Sequence, residues 1–350
     1  MNSMQFVTIR EAEKLSKAKM KKGAYNWLAS GAEDNFTKDR NYESLNSIKI
    51  IPRLLKQRRN KTNYSNNFFK KKINYPIILS PMGHQSQFHK YGEIEMAKGI
   101  FEADTIASFS TQGRYDLYDV RKANPELSLV WTIFLFGNKE WIKNEIKRAE
   151  ENKCEAIVLC LDASVRSHRY SDRETRYDAR KFGKRTLKLP PDPSLDLTFD
   201  WKIVKWIKSN TRLPVILKGV ISEHDAKLSL KYNADGIWVS NHGGRMFNSG
   251  ISVAEALFKI KKIVKKKLIL IADGGVTRGS DIIKYLCLGA DFVGIGRPAI
   301  FGLFLNGKHG VKDVFDILNS EFHSNCINGG FVEKKDFSLN RLIIPKIFNN

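Results

Sequence analysis

The sequence predicts an α/β fold, a (β/α)8 TIM barrel with an N-terminal helical extension and C-terminal closing helices. Three observations carry this. Eight short apolar runs recur between residues 75 and 298, each apolar on both faces, as strands buried in a parallel sheet must be. Segments with helical spacing lie between them, and such alternation over about 220 residues builds a barrel or a doubly wound open sheet. The last two runs end in glycines and an arginine, where a barrel of this kind keeps its phosphate site.

The elements follow in order. Residues 1–74 read as the helical extension. The strands are 75–81 (YPIILSP), 104–110 (DTIASFS), 127–135 (LSLVWTIFL), 155–162 (EAIVLCLD), 213–220 (LPVILKGV), 234–240 (ADGIWVS), 267–275 (KLILIADGG) and 290–298 (ADFVGIGRP). Helical spacing is found at 92–101, 139–152, 201–210, 222–232, 253–264 and 278–288. The stretch 173–200 between the fourth and fifth strands is long, charged and holds three prolines, which suits a functional lid. Residues 301–350 supply closing helices and a tail, so one domain, 1–350, accounts for the chain, with the barrel at 75–300.

Composition excludes several classes. With 42% of residues among AVILMFWYC, 24 Gly and only 10 Pro in 350 residues, the chain is neither disordered nor collagen-like. Four scattered cysteines (Cys154, Cys160, Cys287, Cys326) form neither a disulfide framework nor a CxxC pair, which fits a reducing, cytoplasmic setting. The N-terminus lacks an apolar h-region, and no segment has the roughly 18 apolar residues of a membrane span. Lys and Arg exceed Asp and Glu by 59 to 37, a formal charge of +22. The excess lies in short dispersed groups with no RNP, zinc-finger or basic-zipper pattern, so it reads as a solvated basic surface and not as a specific nucleic-acid footprint.

The chemistry is expected where the strands end. The seventh ends in Asp273-Gly274-Gly275 and the eighth in Gly294-Ile295-Gly296-Arg297. Glycines there let backbone N–H groups approach an anion, and Arg297 can fork onto phosphate oxygens. The fifth ends in Lys218-Gly219, a Schiff-base former, a fixed cation beside a negative cofactor, or an ordinary exposed lysine. The sixth ends in Ser240-Asn241-His242-Gly243-Gly244-Arg245, the sharpest motif, with a titratable base three residues from a permanent bidentate carboxylate binder. The fourth ends in Asp162, which can orient the His242 imidazole and stabilise its protonated form; Arg169, seven residues on, offers a second carboxylate clamp. No metal site is read.

These residues resemble the FMN-dependent L-2-hydroxy acid oxidising enzymes, such as glycolate oxidase, lactate oxidase and the flavin domain of flavocytochrome b2. The resemblance runs from Ala29-Ser30-Gly31-Ala32-Glu33-Asp34 through Pro52-Arg53-Leu54 and Ser80-Pro81-Met82. It is strongest at Leu217-Lys218-Gly219-Val220, Trp238 to Arg245, Asp273-Gly274-Gly275-Val276 and Gly296-Arg297-Pro298. It implies FMN at the strand ends, its phosphate near Gly275, Gly296 and Arg297 and close to Asp273, Gly274, Val276, Thr277 and Arg278. The backbone of Pro81, Met82 and Gly83 would face the flavin, with Ser110, Thr132, Cys160 and Ser240 around it and Lys218 stabilising negative charge on the reduced ring. His242 would take the substrate proton, supported by Asp162; Arg169 and Arg245 would clamp the carboxylate. The same resemblance implies a small-molecule 2-hydroxy acid substrate, oxygen or another acceptor for the electrons, and a homo-oligomer, a tetramer in many members.

Several family positions are altered. Trp27 replaces a Tyr that bonds the substrate carboxylate, Thr132 and Phe134 replace the Gln and Tyr of a Gln-x-Tyr pattern, Cys160 replaces a Thr on the flavin ring, and Thr277 replaces the first Arg of DGGVRRG. Lys218, His242, Arg169, Arg245 and Arg297 are kept and neutral hydrogen bonds are lost, each typically about 1 to 3 kcal/mol. A bulkier, more apolar 2-hydroxy acid than glycolate or lactate would suit a pocket lined by Trp27 and Phe134. The alternatives are a larger or peptide-linked substrate, or a flavin-binding protein without turnover.

Overall fold

The computed structural model describes residues 4–56, 63–181, 186, 188–189 and 198–349. Eight parallel strands, β1 (Ile77–Leu79), β2 (Ala107–Ser110), β3 (Leu129–Phe134), β4 (Ala156–Cys160), β5 (Val215–Lys218), β6 (Gly236–Val239), β7 (Ile269–Asp273) and β8 (Phe292–Ile295), pair in sequence from β2 to β8, and β8 pairs with β1. The Leu79 N–H donates to the Ile106 carbonyl and bridges β1 to β2, which closes the ring. Each strand lies inside its expected run and is shorter than it, because the flanking residues leave the ladder to become the loops that carry the site.

The apolar runs have a period-two logic. Ile78, Ile106, Val130, Val158, Ile216, Trp238, Ile271 and Phe292 fill the barrel interior, while alternate residues such as Ile77, Leu79, Phe109, Leu129, Trp131 and Ile157 pack under the surrounding helices. Both phases are buried, so no polar face remains to mark the strands as half-exposed. The interior cluster also takes in Phe68 and Ile73. These belong to a hairpin, Asn66–Phe68 with Lys71–Ile73, which plugs the barrel end opposite the strand C-termini. The extension is therefore not purely helical: three helices, α1 (Ile9–Lys19), α2 (Lys22–Ala29) and α3 (Phe36–Ser47), precede this hairpin.

The remaining helices are α4 (Gly92–Glu102), α5 (Leu117–Ala123), α6 (Lys139–Glu151), α7 (Tyr170–Glu174), α8 (Lys202–Ser209), α9 (Glu223–Lys231), α10 (Val253–Val264), α11 (Gly279–Leu288) and α12 (Arg297–Gly329). Their starts are set locally: Asn138, Ser222 and Ser252 cap α6, α9 and α10 through their side chains, and Ser252 with Glu255 forms a capping box. The helix α12 breaks direction at Asn306 and Gly307, then runs on to close the domain. The tail adds a two-residue strand, Leu342–Ile343, paired antiparallel with Lys49–Ile50. Of the expected lid 173–200, residues 182–185, 187 and 190–197 lie outside the described residues. No helix among the described residues is long and apolar enough to cross a membrane.

One glycine tests the packing. A Cβ on Gly279, at the start of α11, would overlap the backbone of Glu321 and Phe322 in α12, and the Gly279 N–H donates to Glu321 Oε2 at 2.7 Å. Neither backbone can yield without moving a helix. Gly279→Ala is expected to destabilise by about 2 kcal/mol or more, the range of core overpacking, read as a lower denaturant midpoint at unchanged m-value.

Candidate active site

The interior phase changes chemistry two residues beyond each apolar position. Ile78 is followed by Ser80, Ile106 by Ser108, Val130 by Thr132, Val158 by Cys160, Ile216 by Lys218, Trp238 by Ser240 and Ile271 by Asp273, while on β8 Phe292 gives way to Gly294 and Gly296. The pleat therefore stacks a polar layer on the apolar core at the strand C-termini. On β8 that layer needs glycine, since a Cβ at Gly294 would strike Trp238 and Ser80. Above the layer lies a cavity of about 670 Å3, a size typical of ligand sites.

Its floor is a linked network. Lys218 Nζ donates to Ser240 Oγ at 2.9 Å, Ser240 Oγ donates to Asp273 Oδ1 at 2.7 Å, and Ser80 Oγ donates to Asp273 Oδ2 at 3.2 Å. Burial pulls the Lys218 ammonium down, but the Asp162 and Asp273 carboxylates outweigh it and hold the pKa above the ordinary lysine value. Burial pushes Asp162 up, yet Lys218 and then His242 hold it well below the usual carboxylate range. A fixed ammonium and a fixed carboxylate thus stand beside each other at the ends of β5 and β4.

His242 sits in the turn after β6 with φ 58°, a left-handed conformation. Its N–H donates to Ser240 Oγ at 3.1 Å, and Asn241 Oδ1 accepts from the Gly244 N–H at 3.1 Å, so the loop is tied to its own side chains. Nδ1 lies 3.1 Å from Asp162 Oδ1. A carboxylate only accepts, so Nδ1 carries a proton and the neutral ring keeps its lone pair on Nε2. The ring of Phe134 approaches His242 edge-on, centroids 6.3 Å apart.

The two arginines expected to clamp a carboxylate are held differently, one by a distant segment and one by a near neighbour. Arg245 Nη1 donates to the carbonyls of Trp27, Leu28 and Ser30 at 2.8 to 3.0 Å, acceptors at the C-terminal end of α2 that no further helical turn can satisfy. Arg169 Nη2 donates to Asp172 Oδ2 at 2.9 Å. Both guanidiniums lie over the Trp27 ring, 4.9 Å away for Arg245 and 5.6 Å for Arg169. Burial first, then the neighbouring Arg169 and Arg297, pull Arg245 well below its ordinary value.

Most sequence-identified residues meet at this cavity: Trp27, Pro81, Met82, Gly83, Ser110, Phe134, Arg169, Lys218, His242, Arg245, Asp273, Gly274, Gly275, Val276, Gly296 and Arg297 line it. Asp162, Cys160 and Ser240 stand just behind, each bonded to a lining residue or to one another. Three are placed elsewhere. Thr132 is buried inside the barrel with its Oγ1 3.1 Å from Ser108 Oγ, a side chain too short to reach where a Gln would. Thr277 and Arg278 lie outside the lining. Arg278 turns to Asp281 at 3.0 Å and Asn46 at 2.6 Å, capping α11, and Thr277 donates to the same Asp281. Arg297 faces the cavity, but its Nε and Nη2 are engaged with the carbonyls of Leu28, Ser30 and Gly243.

Other lining residues had no sequence signal. Tyr42 comes from α3, inside what read as a helical extension, and burial pushes its phenol up. His84 follows Gly83 with φ 55° and meets the Trp27 ring edge-on at 5.8 Å. Phe136 stacks on Phe134 with centroids 5.7 Å apart, and Val165, Leu189 and Met246 add apolar side chains to the same cavity lining. Nothing local marked Tyr42.

Comparison with known proteins places these features in context. The chain matches the model of the FMN-dependent dehydrogenase family over residues 16–342. It is 34% identical to a 2-hydroxyacid oxidase of Dictyostelium discoideum, over 90% of this chain and 84% of that one. It is 32% identical to glycolate oxidase 3 of Arabidopsis thaliana, over 96% and 95% of the two chains. A lactate oxidase structure from Pediococcus acidilactici superposes with a TM-score of 0.91 at 28% identity, covering 99% of this chain and 96% of the other.

Proposed function

This chain belongs to the FMN-dependent dehydrogenase family, an oxidoreductase family whose cofactor is FMN, and from that premise we propose that it oxidises an L-2-hydroxy acid with a bulky apolar side chain to the 2-oxo acid. The apolar wall of Phe134, Phe136, Val165, Leu189 and Met246 in the same cavity as the Arg169 and Arg245 guanidiniums carries the reading. An acid group meets the arginines while its side chain meets the wall.

The residues present fit the cofactor. Arg245 and Arg297 have no carboxylate partner among their hydrogen bonds, and Lys218 adds a buried cation, so the cavity holds more positive charge than its own acids neutralise. A phosphate and a carboxylate supply what is missing. The N–H groups of Gly274, Gly275 and Gly296 and the Arg297 side chain would hold the phosphate, with Lys218 and the backbone of Met82 and Gly83 at the ring. Bound FMN supplies the two-electron acceptor that no side chain can provide.

The chain's own residues do the rest. Arg169 and Arg245 bind and orient the substrate carboxylate, which sets the hydroxyl toward His242. His242 Nε2 takes a proton, and Asp162, ionised at 3.1 Å from Nδ1, stabilises the imidazolium formed. Trp27 lies against both guanidiniums and helps to hold them in place through cation–π attraction. The relatives named as oxidases favour dioxygen as the final acceptor.

Anaerobic flavin reduction across glycolate, lactate and longer or aromatic L-2-hydroxy acids tests this. Each buried methylene contributes about 0.8 kcal/mol, so the reduction rate constant over Kd is expected to rise about fourfold per carbon until the wall is covered. A flat or falling series removes the apolar-substrate reading, and no reduction by any member removes turnover.

A further inference from the structure

The strand end that carries Asp162 also carries a thiol on the protein side of the catalytic histidine. Cys160 Sγ lies 3.2 Å from Asp162 Oδ1 and 3.9 Å from His242 Nδ1, and Asp162 Oδ1 lies 3.1 Å from the same Nδ1. A tetrahedral zinc with bonds of about 2.0 to 2.3 Å requires ligand separations of roughly 3.3 to 3.7 Å. The three atoms are within a few tenths of an ångström of that triangle. They are the one group of three such side chains found together among the described residues. Asp162 Oδ2, buried, has no hydrogen-bond partner among them, which leaves the carboxylate an unused oxygen beside the group.

A second observation points to a cation. Behind Cys160 lies a separate cavity of about 340 Å3, lined by Cys160 with Phe199, Trp201 and Val204 among others, together with the carboxylates Asp200 and Asp225. Among the described residues no Lys or Arg lines it, although the chain carries a formal charge of +22. The two cavities share Ala163 and Ser164 and are separated at the Cys160–His242 contact. A cation entering from the acid-lined side meets the thiol first.

We propose that Cys160 Sγ, Asp162 Oδ1 and His242 Nδ1 form a site for a soft divalent cation such as Zn2+, entered from this second cavity, whose occupation switches His242 off. The second half rests on His242 being the base; the site itself does not. The protons balance as follows: the thiol releases one proton to solvent, and the imidazole proton passes from Nδ1 to Nε2 as the metal takes the Nδ1 lone pair. An Nε2–H cannot receive the substrate proton. The thiol, softer than the hydroxyl it stands in for, selects Zn2+ over Mg2+. Lys218 shares the charge of Asp162, so binding is expected to be weaker than at a closed structural zinc site.

The test uses the FMN-loaded protein with Zn2+ as probe. Equilibrium dialysis is expected to give one bound Zn2+ per chain, and Cys160→Thr or Cys160→Ser, checked for fold by circular dichroism, should weaken it by at least about tenfold. Mg2+ at equal concentration should neither bind nor compete. Stopped-flow flavin reduction, normalised to each variant's own metal-free rate, should fall with Zn2+ occupancy in wild type, recover on chelation, and stay level in Cys160→Thr. Binding that is absent in wild type, or equally tight in both Cys160 variants, overturns the site. Stoichiometric binding that leaves reduction unchanged overturns the switch. Failure of His242 as the base shows separately, as an unimpaired His242→Gln enzyme, and does not touch the dialysis result.

Discussion

His242→Gln is expected to slow anaerobic flavin reduction by at least about a thousandfold, within the range that a positioned general base contributes. The flavin absorbance should remain, because His242 contacts Asp162 through Nδ1 and the phosphate corner proposed above is at Gly275 and Gly296, not at His242. Glutamine keeps a hydrogen-bonding side chain of similar reach and removes only the basic nitrogen. The cavity holds a second histidine, His84, against Trp27, which gives the experiment an internal control. His242, by contrast, has Asp162 Oδ1 3.1 Å from its Nδ1 to stabilise its charged form. His84→Gln is expected to change the rate by less than about tenfold. If His84→Gln removes reduction and His242→Gln does not, the base has been misassigned.

Lys218→Met should have the largest effect on stability. Methionine matches the length of the chain but leaves the Asp162 and Asp273 charges without their shared cation, and Ser240 Oγ with only the His242 N–H as donor. Breaking a buried ionic arrangement from one side typically costs about 3 to 5 kcal/mol. The signs fix the pH window. Lys218 is held above its ordinary pKa, so its contribution is present in full below the unfolded lysine value, near 10.4, and is lost as pH rises through the folded value. Asp162 is held below its ordinary pKa, so its contribution is present above about 3.9 and is lost as pH falls through the folded value. Denaturant midpoints should therefore separate wild type from Lys218→Met by a constant amount from about pH 5 to about pH 9, narrowing outside it. Equal midpoints at pH 7 would show that the acids find other partners.

The barrel was legible because burial on two faces is a local property. A run such as 155–162 has no polar phase, and only a strand between helices and a packed interior satisfies that. The same alternation carried the site, since Ile216 to Lys218 and Ile271 to Asp273 step from core to cavity along one phase, and the motif from Ser240 to Arg245 follows Trp238 directly. The positions of Lys218, His242, Arg245 and the glycine pairs follow from the residues themselves.

What the residues left open is whom the long or mobile side chains choose. Arg278 and Arg297 look alike beside their glycines, yet one closes the start of α11 on Asp281 and the other reaches carbonyls of Leu28 and Ser30, more than two hundred positions away. Thr132 sits at an expected cofactor position and spends its hydroxyl on Ser108 inside the barrel. The hairpin at 66–73 is too short to show a period, and only the open end of the barrel gives Phe68 and Ile73 something to bury against. Local pattern determines which face of an element is buried, since that depends on neighbours two to four residues away. Tertiary structure alone decides which hydrogen-bond partner a cation takes and which aromatic covers it, because those partners arrive from elsewhere in the chain and compete at close range.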